Sequence, residues 1–261
     1  MAAAPPPDRS APPPVPAPIW ARPERSTRGP KPTHTRDEIT AAAIAIADAE
    51  GIDAVSMRRV AGELQVAATS LYRYVAKKDE LFELMVDAAA GELPHATTTG
   101  DWVADLRALA EREREQLKRH PWLLRLPTGR TGLGPQNLRN LEHGLSIVDG
   151  LGLDIDDMVI VLSTVLALVH GFVMSELADQ EATRRSGLDQ EAWMETMLPY
   201  GSTIIEANEY PLVVRVMLEA EGPHAPDQDD RTFRLGLDRV LSGIQASIEG
   251  APPLRGDGAP S

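Results

Sequence analysis

Between Val66 and Leu81 the chain reads VAATSLYRYVAKKDEL, a run of residue types suited to phosphates and base edges. A helix over Thr69 to Val75 would turn Leu71 and Val75, four apart, inward and leave Thr69, Ser70, Tyr72, Arg73 and Tyr74 facing out. Solvated helix faces are normally filled with Glu, Lys and Gln; this one holds hydroxyls, two phenols and a guanidinium. Hydroxyls and phenols donate to phosphate oxygens, and a guanidinium grips guanine through two parallel hydrogen bonds. Lys77 and Lys78 open the next helix, where the helix dipole favours acids. Cations at that end fit an anionic partner, because a phosphate backbone attracts both the lysines and the open N–H groups. The competing reading is a packed, Tyr-rich helix followed by an incidental lysine pair.

The elements before this segment are those needed to position it. From Arg36 to Glu50, RDEITAAAIAIADAE places Ile39, Ala42, Ala43, Ile46 and Ala49 along one helical stripe, with acids in the first turn. Gly51 is its expected C-cap, and Ser56 the N-cap of a second helix, Met57 to Leu64, whose apolar side is Met57, Val60, Ala61 and Leu64. Gln65 to Ala68 has the length of a helix-turn-helix turn. Three helices with tight connections, the last one polar, match the geometry in which the last helix enters a major groove.

Ile39, Ala42 and Ala43, then Glu50-Gly51-Ile52, Ser56 to Ala61, Ser70 to Val75 and Lys77 to Leu81 occur in the order and spacing of one family. Residues 36 to 84 resemble the DNA-binding domain of the TetR family of bacterial transcriptional regulators. The resemblance implies that Thr69, Ser70 and Arg73 face base edges and that Arg58 reaches in from the second helix. It implies further that Ser56, Tyr72, Tyr74, Lys77 and Lys78 lie at the DNA backbone. Two positions depart from the family pattern: Gln65 stands where Gly is common, and Val75 where Phe is frequent. A left-handed backbone at Gln65 is less comfortable than at Gly.

Composition bounds the rest. The 261 residues, 43% of them apolar, suffice for a small reading domain and a larger helical one. Cysteine is absent, which removes disulfides, thiolate metal sites and Cys nucleophiles. The formal charge is −13, yet residues 22 to 78 carry ten basic and seven acidic side chains, a net of +3 that leaves −16 for the remainder. A locally basic head on an acidic body suits DNA binding through a few placed contacts. Eleven of the 22 prolines fall within the first 32 residues, so residues 1–32 are expected to be a disordered leader. The leader lacks the apolar core of a secretory signal, and a cytoplasmic location is expected. Arg22, Arg25, Arg28 and Lys31 form a basic arm that is either a minor-groove contact or a solvated linker. Trp20, beside Ile19, has no evident role.

Beyond Gly91 the pattern is helical: Asp101 to His120, about Gln136 to Gly150, Asp156 to Ala182, Asp189 to Ala207, Pro211 to Glu221 and Asp229 to Glu249. The alternating charges from Glu111 to Glu115 read as a solvated face. Met158 to Met174 is almost continuously apolar, but its length and His170 argue for a buried helix over a membrane span. The stretch from His120-Pro121-Trp122 to His170-Gly171-Phe172 resembles the C-terminal class typified by the tetracycline repressor. That resemblance implies a homodimer joined by the long helix near 156–180 and the last helix near 229–249, with a small-molecule effector inside the domain. Expected pocket residues are His120, Trp122, Asn137, His143, His170, Phe172, Met174 and Trp193, as aromatic, Met and polar groups among buried helices.

The expected fold is therefore all-α: an N-terminal helix-turn-helix domain at 33–84, a larger ligand-binding and dimerisation domain at 85–250, and a loose tail at 251–261. The six histidines lack zinc-ligand spacing, no phosphate loop or nucleophile elbow is present, and neither an enzyme, a metal nor a cofactor is expected. The family resemblance implies a repressor that binds a pseudo-palindromic double-stranded DNA operator as a dimer and is released by the effector. Its alternatives are an activator, a co-repressor-type regulator, or a helical binding protein without DNA function.

Overall fold

The computed structural model describes residues 17–22, 34–126, 133–207, 209–220 and 227–250. Arg25, Arg28 and Lys31 lie outside the described residues, as do most of the leader and the tail. The described residues form ten α-helices and no strand: α1 Arg36–Glu50, α2 Met57–Glu63, α3 Ala68–Leu71, α4 Lys78–Ala90, α5 Trp102–Arg119, α6 Pro135–Val148, α7 Ile155–Ser186, α8 Gln190–Ala207, α9 Pro211–Glu219 and α10 Gln228–Gly250. Three short 3-10 turns, Ile19–Ala21, Ile52–Ala54 and Pro121–Arg125, accompany them. The chain divides into two units, Met1–Met85 and Val86–Ser261.

In the first unit, α1 opens with a capping box: the Thr35 hydroxyl accepts the Glu38 amide at 3.1 Å and the Glu38 carboxylate accepts the Thr35 amide at 3.1 Å. Its Ile39, Ala43, Ile46 and Ala47 are buried with Val55, Val60, Leu71, Val75 and Leu81. Gly51 closes α1 at φ 86°, ψ 164°, a backbone conformation essentially restricted to glycine, and its amide donates to Ala47.

The turn after α2 is a Schellman motif. The Gln65 amide donates to Gly62 O at 3.2 Å, the Val66 amide donates to Ala61 O at 2.9 Å, and Gln65 itself stands at φ 56°. Gln65 thus occupies a left-handed site that glycine would fill without strain. Gln65→Gly is expected to stabilise the first unit by roughly 0.5–1 kcal/mol, the strain relieved being partly offset by glycine's larger unfolded-state entropy. Hydrogen exchange of the α2 and α3 amides measures this, and equal or faster exchange in the variant contradicts it.

The second unit is built on α7. Met158, Val161, Val165, Val169 and Val173 recur at three- and four-residue steps and pack with Leu106, Ala110 and Leu117 of α5 and Phe233, Leu237 and Leu241 of α10. Among the described residues α7 is the helix long and apolar enough to cross a bilayer by composition. It is not apolar-buried on all sides, however: Ile155, Val159, Ile160 and Met174 are exposed in the single chain. Its buried face also carries Glu176, held by Arg114 at 2.7 Å and Lys118 at 3.1 Å.

Candidate nucleic-acid interface

The reading segment is shorter as regular helix than its pattern predicts. α3 ends at Leu71, and Tyr72 to Tyr74 continue as tighter turns in which the Tyr74 amide donates to Leu71 O at 2.9 Å. Aromatic and β-branched residues at 72, 74 and 75 favour such an early end. The Arg36 guanidinium also occupies the Tyr74 carbonyl at 3.2 Å, drawing it out of a helical ladder.

Exposure sorts the expected contacts. Thr69, Arg73, Lys77 and Lys78 are exposed, as is Tyr72 at 51%. Ser70 is half-buried, and its hydroxyl donates to Ala67 O at 2.6 Å, which leaves oxygen lone pairs for an incoming donor. Tyr74 departs from expectation: it is 8% exposed and belongs to the core. The reason is the early end of α3: in the tighter turn, closed by the Tyr74 amide on Leu71 O, positions three apart fall on one face, so Tyr74 turns inward with Leu71. The Arg73 guanidinium lies 5.9 Å from the Tyr74 ring centroid, so the buried phenol supports the exposed cation. Ser70, Arg73 and Tyr74 line one cleft together with His34.

On α2, the Ser56 hydroxyl caps the helix by accepting the Arg59 amide at 3.1 Å. Arg58 and Arg59 are adjacent but differently committed. Arg59 is held by Glu50 at 2.8 Å and Glu63 at 3.0 Å, and those partners raise its pKa. Arg58 is exposed and has no carboxylate partner among the described residues, nor has Arg73. At the start of α4, Lys78 Nζ sits 4.9 Å from the Phe82 ring, which orients the ammonium. Glu80, two residues on, accepts the Ala76 amide at 2.8 Å and pairs with Arg22 at 2.6 Å. Burial would raise the Glu80 pKa, but Arg22 and the Ala76 amide together hold it below the ordinary value. Arg22 is therefore taken up inside the first unit, not extended as an arm residue. Glu80 escaped the sequence reading, although an acid at the third position of a helix is a recognisable end-capping signal.

The expected pocket residues of the second unit are dispersed among structural roles. Met174 at 58% and Trp193 at 47% are exposed and do not line an interior. His120 and Trp122 are buried, with His120 Nε2 2.9 Å from Glu92 and its ring 5.6 Å from that of Trp122. The Asn137 side chain and the Gln136 and Asn137 amides all donate to Asp87, which thereby caps α6. Phe172 packs edge-to-face on Phe233, and His170 lies 3.4 Å from Glu113. The charged run in α5 is not simply solvated either. Arg112 donates to Ala90 O at the end of α4 and to Leu93 O just beyond it, and Arg114 reaches buried Glu176.

His143 stacks on His95 with ring centroids 4.2 Å apart. Burial, and then the Arg112 charge, lower both pKa values below 6.5. The unfolded chain consequently binds more protons on these imidazoles than the folded chain does. Stability is complete above about pH 6.5 and falls as pH drops through and below that value. Thermal melts over about pH 5 to 7 should show a shallower decline for the His95→Gln/His143→Gln variant than for the natural chain. Parallel declines would remove the pair from the cause.

A compact tri-helical head with exposed hydroxyls and guanidinium groups on α2 and the α3 segment, joined in one chain to a separate helical unit, defines a helix-turn-helix regulator. Residues 39–85 match the model for bacterial regulatory proteins of the tetR family, and residues 93–248 match that for the tetracyclin repressor-like C-terminal domain. The chain belongs to the TetR family. It is 36% identical over 244 residues to the HTH-type transcriptional repressor DrrR1 of Streptomyces coeruleorubidus, covering 93% of this chain and 87% of that one. Apo ActR of Streptomyces coelicolor superposes with a TM-score of 0.69 at 25% identity, covering 86% of this chain and all of that chain, 100%. ActR in complex with actinorhodin gives 0.67 at 26% identity, over 82% and 97% of the two chains.

Proposed function

We propose that this chain is a dimeric, cytoplasmic repressor that reads a pseudo-palindromic operator through Arg58, Thr69, Ser70 and Arg73. Ser56, Tyr72, Lys77 and Lys78 hold the DNA backbone. The observation carrying this reading is the division among the arginines of the first unit. Arg22, Arg36 and Arg59 are engaged by carboxylates or carbonyls, whereas Arg58 and Arg73 project without a carboxylate partner among the described residues. A guanidinium held ready and unneutralised is what bidentate base recognition needs.

Dimerisation uses the outward faces of α7 and α10. Ile155, Val159, Ile160 and Met174 of α7 and Leu235 of α10 are exposed in the single chain, and a second copy related by a two-fold axis covers them as a four-helix bundle. Release follows linkage: an effector that binds more tightly to a dimer with wrongly spaced heads lowers operator affinity by the same factor. The repressor role is supported by the likeness to DrrR1, and the small-molecule response by that to ActR, solved with actinorhodin.

The test is retention of genomic DNA fragments by the purified chain at two salt concentrations, followed by sequencing. Retained fragments should share an inverted repeat and be lost steeply as salt rises. No retention even at low salt overturns the reading and favours a helical binding protein without DNA function.

A further inference from the structure

A piece of the Pro-rich leader sits on the reading head. Ile19, at the start of the Ile19–Ala21 turn, is 1% exposed, as deeply buried as Leu71 of the reading segment. An apolar side chain is not buried this fully by a mere linker. The backbone of the piece is held as well: Arg36 Nη1 donates to Ile19 O at 3.3 Å and to Arg22 O at 3.0 Å. The same guanidinium donates through Nε to Tyr74 O at 3.2 Å. At the other end, Arg22 pairs at 2.6 Å with Glu80, whose carboxylate accepts the Ala76 amide at 2.8 Å.

Two independent routes therefore run from this piece to the stretch joining α3 to α4, one through Arg36 to Tyr74 and one through Arg22 and Glu80 to Ala76. That stretch carries Arg73 and Lys77 and leads directly into Lys78, the first residue of α4. We infer that residues 17–22 are a strap that positions the reading segment, with Ile19, Arg22, Arg36 and Glu80 as positioning residues, so that this piece of the leader serves operator binding by geometry and not by charge. This rests on the operator-binding role proposed above.

The strap and a phosphate-binding arm make opposite predictions at Glu80. Under the strap, Glu80→Gln breaks the tie and weakens operator binding. Were Arg22 a phosphate contact restrained by Glu80, the same change would release it and tighten binding. Titrations by fluorescence anisotropy, using the full chain and a DNA fragment retained in the experiment above, decide between them across a series of salt concentrations. Ile19→Ala and Glu80→Gln should each weaken binding, Ile19→Ala by about tenfold or more. The slope of log affinity against log salt should match that of the natural chain, since no phosphate contact is lost. Deleting residues 1–16, which leaves the strap, should leave the affinity within about twofold. Melting curves for the two substituted chains establish that the body remains folded. The strap is overturned by natural affinity in Ile19→Ala, by tighter binding in Glu80→Gln, or by a salt slope reduced by about one unit in Arg22→Ala. Failure of the natural chain itself to retain DNA would be a failure of the proposed function, seen before any variant is made.

Discussion

Replacing Arg114 with Met is expected to destabilise the helical body by about 3 kcal/mol or more, because it strands a buried carboxylate. Glu176 lies within α7, is 4% exposed, and has Arg114 Nη2 at 2.7 Å from Oε1 and Lys118 Nζ at 3.1 Å from Oε2. Lys118 is itself substantially exposed, so it compensates only in part when the guanidinium is gone. Burial acts to lower the Arg114 pKa, and Asp230 and Glu176 more than offset it, which marks the pair as mutually dependent. Arg114 also stacks 4.7 Å from the Phe233 ring, so the loss includes a cation–π contact between α5 and α10. The decisive comparison is the double variant Arg114→Met/Glu176→Leu. Removing both charges should recover most of the lost stability, as replacing a whole buried pair by apolar groups is often neutral. Chemical denaturation in which the double variant is no better than Arg114→Met would show that the carboxylate was not the cause.

The second large effect concerns specificity. Arg73→Ala should cost about 1–3 kcal/mol of discrimination at one base position in each half-site, an effect counted twice in a dimer on a palindrome. Lys78→Ala should instead weaken every sequence alike and flatten the salt slope by about one unit. Competition between operator fragments altered one base pair at a time separates the two. Equal losses on all sequences for both variants would end the division between reading and holding. The contrast is expected from their settings: Arg73 projects from the reading segment, supported on the Tyr74 ring, whereas Lys78 lies at a helix N-terminus over Phe82.

Much of this architecture is carried by local patterns. The α1 stripe, the Thr35 to Glu38 interval, Ser56 before α2 and the valines at four-residue steps in α7 each specify a helix and its inward face within a few residues of chain. The departure at Gln65 is likewise local, and the φ of 56° there shows the backbone keeping its left-handed turn without glycine. The Schellman bond pair maintains that conformation against a local cost of about 1–2 kcal/mol.

Other features required distant partners. Tyr74 reads as an outward phenol until the early end of α3 and the contacts of the first unit place it inside. Arg112 and Arg114 read as members of a solvated charge ladder, because nothing within α5 reveals that the Leu93 carbonyl and Glu176 lie within their reach. Arg22 resembles every other basic residue of the leader, and its separation from Glu80 by 58 positions hides the pairing. The pocket candidates dispersed for the same reason: aromatic and Met content marks apolar helices but not which faces meet, and Met174 and Trp193 turn outward in the single chain.

The amino-acid sequence by itself determined the helical class, the reading motif and the family, because helix periodicity, caps and turn residues act over one or two turns of chain. Only the tertiary structure decided which cations of the first unit are engaged by carboxylates or carbonyls and which project without a carboxylate partner among the described residues. Arg58 and Arg59 are neighbours of one type; what distinguishes them is that Glu50 of α1 arrives 2.8 Å from Arg59, whereas no carboxylate among the described residues pairs with Arg58.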